Sequence, residues 1–135
     1  MNIVLWILQV LLAAAFLAHA RLYLFPPPEM VPAMHAIIPA ALRIFIGVVE
    51  VLAAIGLTLP GITRIKPWLV PLAAAGLMVL MLGAVSLHAS RGETSAAVTT
   101  ATLFVLCTFV AYMRWRVRPI LPRTTPYSPA LPQEP

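Results

Sequence analysis

Four ionisable side chains stand inside otherwise apolar stretches of this sequence: His19, Arg43, Glu50 and His88. A guanidinium can donate hydrogen bonds to an anion or a carbonyl oxygen, and a carboxylate beside an imidazole can exchange protons. If residues 40–59 form a helix, Arg43 and Glu50 share one face of it and lie about 10 Å apart along its axis. Their types and spacing therefore suggest a site that binds a polar group or moves a proton.

The composition indicates where such a site would lie. The chain has 135 residues, of which 61% are hydrophobic and only 10% are charged, and its mean hydropathy is +0.96. In a soluble domain about a quarter of the residues are charged. The much lower charged fraction here is typical of an integral membrane protein. A charge at the centre of a bilayer costs about 2.5–3.5 kcal/mol on insertion scales. We therefore expect the charged side chains to face the bundle interior and to have partners.

The apolar segments predict an all-α protein, a four-transmembrane-helix bundle. A bilayer-crossing helix needs about 20 mostly apolar residues, and four segments qualify, over residues 3–24, 40–59, 68–89 and 95–113. The bundle would occupy residues 1–113, and a basic, Pro-rich tail would follow over residues 114–135.

Prolines indicate where two of these helices end or begin. Pro60-Gly61 is expected to end the second helix and Pro67 to precede the third.

The first 20 residues are similar to a secretory signal, but no Lys or Arg precedes their apolar run. We therefore expect a retained helix rather than a cleaved leader.

Basic residues indicate the orientation, because loops on the cytoplasmic side of a membrane are enriched in Lys and Arg. One side of the predicted bundle collects Arg64, Lys66, Arg114, Arg116, Arg118 and Arg123. The other side has only Arg21 and Arg91, with Arg43 just inside the second helix. Both termini are therefore expected in the cytoplasm. The net charge of +5 is explained by this topology, and we expect no nucleic-acid partner.

The ionisable residues of the spans are expected in the outer half of the bundle, with none in the inner half. Gly47 and Ala54 share the face of Arg43 and Glu50, so a neighbouring helix could approach closely there. Helical side chains lean toward the N-terminus, which carries Arg43 away from Glu50. A water molecule or a third group, such as His19 or His88, would then have to bridge them.

Several chemistries lack support in the sequence. It has no Ser-His-Asp constellation, no Gly-rich phosphate loop and no metal-spaced Cys/His cluster, and its one cysteine excludes a Cys-x-x-Cys motif. His19 and His88 could in principle be axial haem ligands, but no cytochrome motif accompanies them, and we expect neither haem nor a bound metal. Met30, Met34 and His35 could suit Cu(I), although an apolar lid over the bundle is the favoured interpretation.

Three stretches resemble the DoxX-like family of small bacterial membrane proteins: "ALRIFIGVVEVLAAIGLTLP", "PWLVPLAAAGL" and the "H…RGE" ending of the third span. The resemblance covers residues 6–115 and implies a four-helix bundle in the bacterial plasma membrane. Relatives in the wider group are associated with quinone-linked sulfur oxidation or with membrane redox complexes that handle thiol and oxidative stress. The resemblance thus implies a quinone or redox role.

Two functions follow as expectations. In the first, the protein is an accessory or ligand-binding component of a membrane redox system, and a quinone-like head group lies against Arg43, Glu50, His19 and His88. Arg43 would donate to a carbonyl oxygen, Glu50 and a histidine would exchange protons, and the electron-transfer centre would come from the ligand or a partner. In the alternative, it is a non-catalytic structural or assembly subunit. We expect the chain to be associated with an oxidoreductase at most, rather than to be an independent enzyme. Expected partners are membrane lipid, a quinone or other amphipathic molecule, and another protein or further copies of this chain.

Overall fold

The computed structural model describes residues 2–123, and within them the chain folds into helices and turns without a strand. Four long helices are apolar enough to cross a membrane, which confirms the predicted all-α bundle. Their bounds, with those of one short helix, are Asn2–Leu24 (α1), Val31–Ile37 (α2), Ala40–Thr63 (α3), Leu69–Ser90 (α4) and Thr94–Tyr112 (α5). A 3-10 turn, Pro28–Met30, precedes α2, and a π-helix, Met113–Val117, follows α5.

The long helices pack in the order α1, α3, α4, α5, and α1 touches α5 more lightly. The bundle therefore has two ends. We call them the Trp6 end, where α1 and α4 begin and α3 and α5 finish, and the His19 end, where α1 and α4 finish and α3 and α5 begin.

The core lies on the axis of the bundle, and the outside is apolar as well. Phe16, Leu57, Leu77 and Cys107 are among the fully buried core residues, whereas large aliphatic side chains are exposed along every long helix. In water such a surface would be an aggregation liability, but in a bilayer it is the surface that contacts lipid tails.

The core does not extend evenly along the α4–α5 hairpin. None of the residues 82–106 is buried, although buried residues on α1 and α3 reach from one end of the bundle to the other. Toward the His19 end, the buried residues of the bundle therefore belong to α1 and α3.

The end of the second predicted helix differs from the prediction. The expectation that Pro60-Gly61 ends the second helix is wrong, because α3 continues to Thr63. Proline inside a helix removes one backbone donor and crowds the carbonyl four residues earlier, but Pro60 stands in the last turn of α3, where its ring is buried. Helix α3 ends where Arg64 adopts a left-handed conformation with φ of 58°, a common way for a helix to finish.

The loop after α1 contains the short helix α2, which the apolar pattern of the sequence does not indicate. Pro28 and Pro32 stand in the first turns of the 3-10 turn and of α2, where a missing N–H costs nothing. None of the residues in α2 is buried, so no apolar face distinguished it from a loop.

The fourth predicted span ends too early at Met113. The π-helix continues it to Val117, and the Arg118 N–H donates to the Met113 carbonyl at 2.6 Å. Arg114, which was assigned to the tail, is only 3% exposed. The part of the predicted tail from residue 124 onward lies outside the described residues.

Candidate functional site

The predicted polar stripe on α3 faces the bundle interior. Arg43, Gly47, Glu50 and Ala54 are all buried, and Glu50 is completely inaccessible. Leu24 and Tyr23 on α1 lie so close to Gly47 that an added Cβ would meet them at 2.8 Å and 3.3 Å. The prediction that small residues let a neighbouring helix approach this face is confirmed.

Glu50 is held by one side chain from α1. The Nδ1 atom of His19 lies 2.8 Å from Oε1 and 2.9 Å from Oε2 of Glu50. A donor shared between both oxygens is the arrangement that an Nδ1–H makes with a carboxylate. Of the groups expected to bridge Arg43 and Glu50, His19 therefore contacts Glu50, but the expectation that it also reaches Arg43 is wrong, because Arg43 donates to the Tyr23 carbonyl instead.

The other side of the His19 ring is accessible. Its side chain is 45% exposed, and its ring packs against Tyr23 with centroids 4.3 Å apart. With Nδ1 committed to Glu50, Nε2 is the ring nitrogen that has no partner among residues 2–123. The carboxylate fixes the orientation of the imidazole, so this nitrogen can accept or donate one further hydrogen bond.

Arg43 does not join this pair. Its Nη1 donates to the backbone carbonyl of Tyr23, one of the last carbonyls of α1, which have no partner within the helix. A cation at a helix C-terminus also interacts favourably with the helix dipole. Its Nε is buried and has no partner among the described residues. Arg43 therefore holds the end of the helix that carries His19.

His88 lies in a separate cluster at the connection between α4 and α5. Its Nδ1 is 2.6 Å from Oε2 of Glu93, and the Nε of Arg91 donates to Oε1 of Glu93 at 2.7 Å. The hydrogen bonds from His88 and then from Arg91 lower the pKa of Glu93 below its usual value. The structure thus brings His19 and Glu50 together, but gives His88 a different carboxylate.

The expectation that the other half of the bundle has no ionisable side chain is wrong. At the Trp6 end, Arg114 donates from Nε to Oε1 of Gln9 at 2.6 Å and from Nη1 to Oδ1 of Asn2 at 2.7 Å. Gln9 in turn donates from Nε2 to the Leu57 carbonyl at 2.6 Å. Gln9 and Arg114 were missed, although an amide among the apolar residues of α1 is a signal of a buried polar contact.

The arrangement at the His19 end suits hydrogen bonding and proton exchange at one imidazole nitrogen. Within residues 2–123, no group of three or more His, Cys, Asp or Glu side chains could hold a metal ion. The two histidines considered as haem ligands each bind a carboxylate of their own through Nδ1.

Comparison with known proteins gives one match. The model of the DoxX-like family matches residues 7–110, which includes the stripe on α3 and the His19–Glu50 pair. No curated protein matches the chain, and no solved structure does.

Proposed function

Since the chain belongs to the DoxX-like family, we propose that this multi-pass membrane protein binds the polar head of a quinone-like amphipathic molecule. It would do so as an accessory component of a membrane redox system in the bacterial plasma membrane. The observation that supports this proposal is the pairing of the fully buried carboxylate of Glu50 with the half-exposed imidazole of His19.

The position of His19 suits a ligand that arrives through the bilayer. His19 lies five residues before the end of α1, about 8 Å along the axis, and therefore in the half of the bundle toward the His19 end. Leu17 and Ala18 beside it are exposed as well. A molecule with an apolar tail could keep that tail among the lipids while its polar head reaches His19 from the side of the bundle.

The pair provides a defined set of interactions for such a head group. Nε2 of His19 would form a hydrogen bond with a carbonyl or hydroxyl oxygen of the ligand. Glu50 keeps the ring in place and compensates the charge whenever Nε2 is protonated. A bound quinone would supply the electron-accepting chemistry that these side chains lack, and its electrons would come from a partner protein.

The role expected for Arg43 changes accordingly. Its Nη1 contacts Tyr23 on the backbone, so we propose that Arg43 positions the end of α1 rather than the ligand. His88, bound to Glu93, is left out of the proposed site.

A thermal-shift experiment on the purified protein tests the proposal with decylubiquinone and menadione as probes. Wild-type protein should unfold at a higher temperature with either probe. His19→Asn should lose the shift, because an asparagine amide can still donate to Glu50 but presents no atom in the place of Nε2. His88→Asn, the matched control in the other histidine–carboxylate pair, should keep it. If neither probe stabilises the wild type at saturation, the proposal is overturned.

A second function is favoured by one observation. Because Arg43 ties α3 to the end of α1, the polar residues could serve only to order the bundle of a structural or assembly subunit in a larger membrane complex. In that case no quinone would shift the wild type. Glu50→Gln would then lower the recovery of a complex with a protein partner or with further copies of the chain.

A further inference from the structure

A second polar site lies at the Trp6 end, away from the His19–Glu50 pair. A cavity of about 360 Å³ opens there between the beginning of α1, the end of α3 and the π-helix. Asn2, Trp6, Arg64 and Arg114 line it, and residues 119–121 form one wall. The Arg123 N–H donates to the Arg64 carbonyl at 3.2 Å, which holds the segment after the π-helix against α3.

The charged side chains that line this cavity within residues 2–123 are both positive. Two guanidinium groups line it together with the Asn2 amide, and none of the lining residues within 2–123 carries a carboxylate. Arg114 is 3% exposed, yet its hydrogen-bond partners are the neutral oxygens of Gln9, Asn2 and the Arg118 backbone. Among residues 2–123, its Nη2 has no partner at all. Within the described part of the chain this buried positive charge therefore has no hydrogen-bonded counterion, and such a charge favours an anion next to it.

The surrounding contacts fix this guanidinium in place. Gln9 orients the Arg114 guanidinium by accepting a hydrogen bond from its Nε. The Cζ atom of Arg114 lies 5.3 Å from the centre of the Trp6 ring. An arginine whose rotamer is already set loses less entropy when it binds an anion. Arg64, by contrast, is exposed and can move toward a ligand in the cavity.

The cavity also lies at the depth where phosphate groups occur. Helix α1 has 23 residues, about 34 Å of length, whereas the hydrocarbon core of a bilayer is about 30 Å thick. The ends of the bundle therefore reach the head groups, and Trp6 is the kind of side chain found at that level.

We propose that this cavity is a binding site for a phosphate group, with Arg64 and Arg114 as its cationic contacts. Guanidinium groups present paired donors that match the oxygens of a phosphate. The group could belong to the head of an anionic phospholipid such as phosphatidylglycerol or to free phosphate. The site is independent of the quinone proposal, since it shares no residue with it.

Native mass spectrometry of the full-length protein, released from detergent with defined lipids, tests this site. The variants are Arg64→Gln, which removes a charge that lines the cavity, and Arg116→Gln. Arg116 is a matched control because it is an exposed arginine of the π-helix that does not line the cavity. Both positions are exposed, so both variants should fold, whereas Arg114→Gln would disturb the buried contacts to α1.

The wild type should retain phosphatidylglycerol in preference to phosphatidylcholine. Arg64→Gln should weaken that binding by about tenfold, equivalent to about 1.4 kcal/mol, and Arg116→Gln should leave it within about twofold. A parallel thermal-shift titration with inorganic phosphate separates the sources. A shift with phosphate that Arg64→Gln abolishes, without preference for phosphatidylglycerol, would assign the site to free phosphate.

Two results would overturn the proposal. One is equal binding of phosphatidylglycerol by the wild type and Arg64→Gln, with no shift from phosphate in either. The other is an equal loss in Arg64→Gln and Arg116→Gln, which would mean that the ligand responds to surface charge in general and not to this cavity.

Discussion

The hydrogen bond between His19 and Glu50 stabilises a charge that the bilayer would otherwise disfavour. A carboxylate near the middle of a spanning helix costs about 2.5–3.5 kcal/mol on insertion scales, and a hydrogen bond to a charged group contributes about 1.5–3 kcal/mol. One imidazole can therefore offset much of the cost of burying Glu50. This balance is consistent with the complete burial of Glu50.

Removing His19 should consequently leave Glu50 as an unpaired buried charge. We expect His19→Ala to lower the free energy of unfolding by about 1–3 kcal/mol, measured by chemical unfolding in detergent micelles. The double variant His19→Ala/Glu50→Met should be closer to the wild type, because it removes both polar partners. If the two substitutions destabilise additively, the side chains are not energetically coupled and the contact does not have the role assigned to it.

Individual residues were predictable from the sequence to different degrees. It could be predicted that Arg43 and Glu50 face the bundle interior, because they share one side of a helix and a charge exposed to lipid is costly. The partner of each charged group could not be predicted. Helix α3 packs against both α1 and α4, so whether Glu50 meets His19 or His88 depends on how these helices are rotated and staggered. The partner of His88 is Glu93, five residues further along the chain.

At the scale of the helices, close packing depends on small residues at particular contacts. A Cβ added to Gly56 on α3 would lie 2.8 Å from the Cβ of Ala73 on α4. Neither atom belongs to a flexible side chain, so only a shift of the two helices could relieve the contact. Gly83 on α4, by contrast, has nothing within 4 Å of the same position.

Gly56→Ala should therefore destabilise the bundle, by about 1–3 kcal/mol as for other overpacked cores. Gly83→Ala is the matched control and should be neutral or stabilising by up to about 1 kcal/mol, since alanine favours a helix over glycine. Thermal unfolding of both variants in the same detergent measures the difference. Equal stabilities would show that α3 and α4 do not pack closely at Gly56.

The long helices and most of their ends were readily predicted, but the end of α3 and the π-helix after α5 were not. Length and hydropathy are sufficient to identify a spanning helix, since the bilayer sets both. The π-helix after α5 depends instead on a tertiary contact, because Gln9 and Asn2 on α1 hold Arg114 within the bundle. Pro60 likewise lies buried inside α3, which a rule based on proline alone does not anticipate.

At the scale of the whole molecule, the two ends of the bundle differ in charge. Five exposed basic residues lie at or beyond the Trp6 end, namely Arg64, Lys66, Arg116, Arg118 and Arg123. Only Arg21 and Arg91 are exposed at the His19 end, because Arg43 is buried. Although the structure removes Arg114 from the count, the imbalance remains, and we expect the Trp6 end to face the cytoplasm.

The orientation can be measured by labelling single cysteines in intact cells with a membrane-impermeant maleimide. The native Cys107 is fully buried, so the wild type should give little background. Ser90→Cys places an exposed thiol at the His19 end and should react in intact cells. Ile65→Cys, at a residue that is 61% exposed at the Trp6 end, should react only after the membrane is permeabilised. The reverse pattern would place the His19–Glu50 pair near the cytoplasm and the arginine-lined cavity on the outer surface, since both sites are fixed to opposite ends of the same four helices.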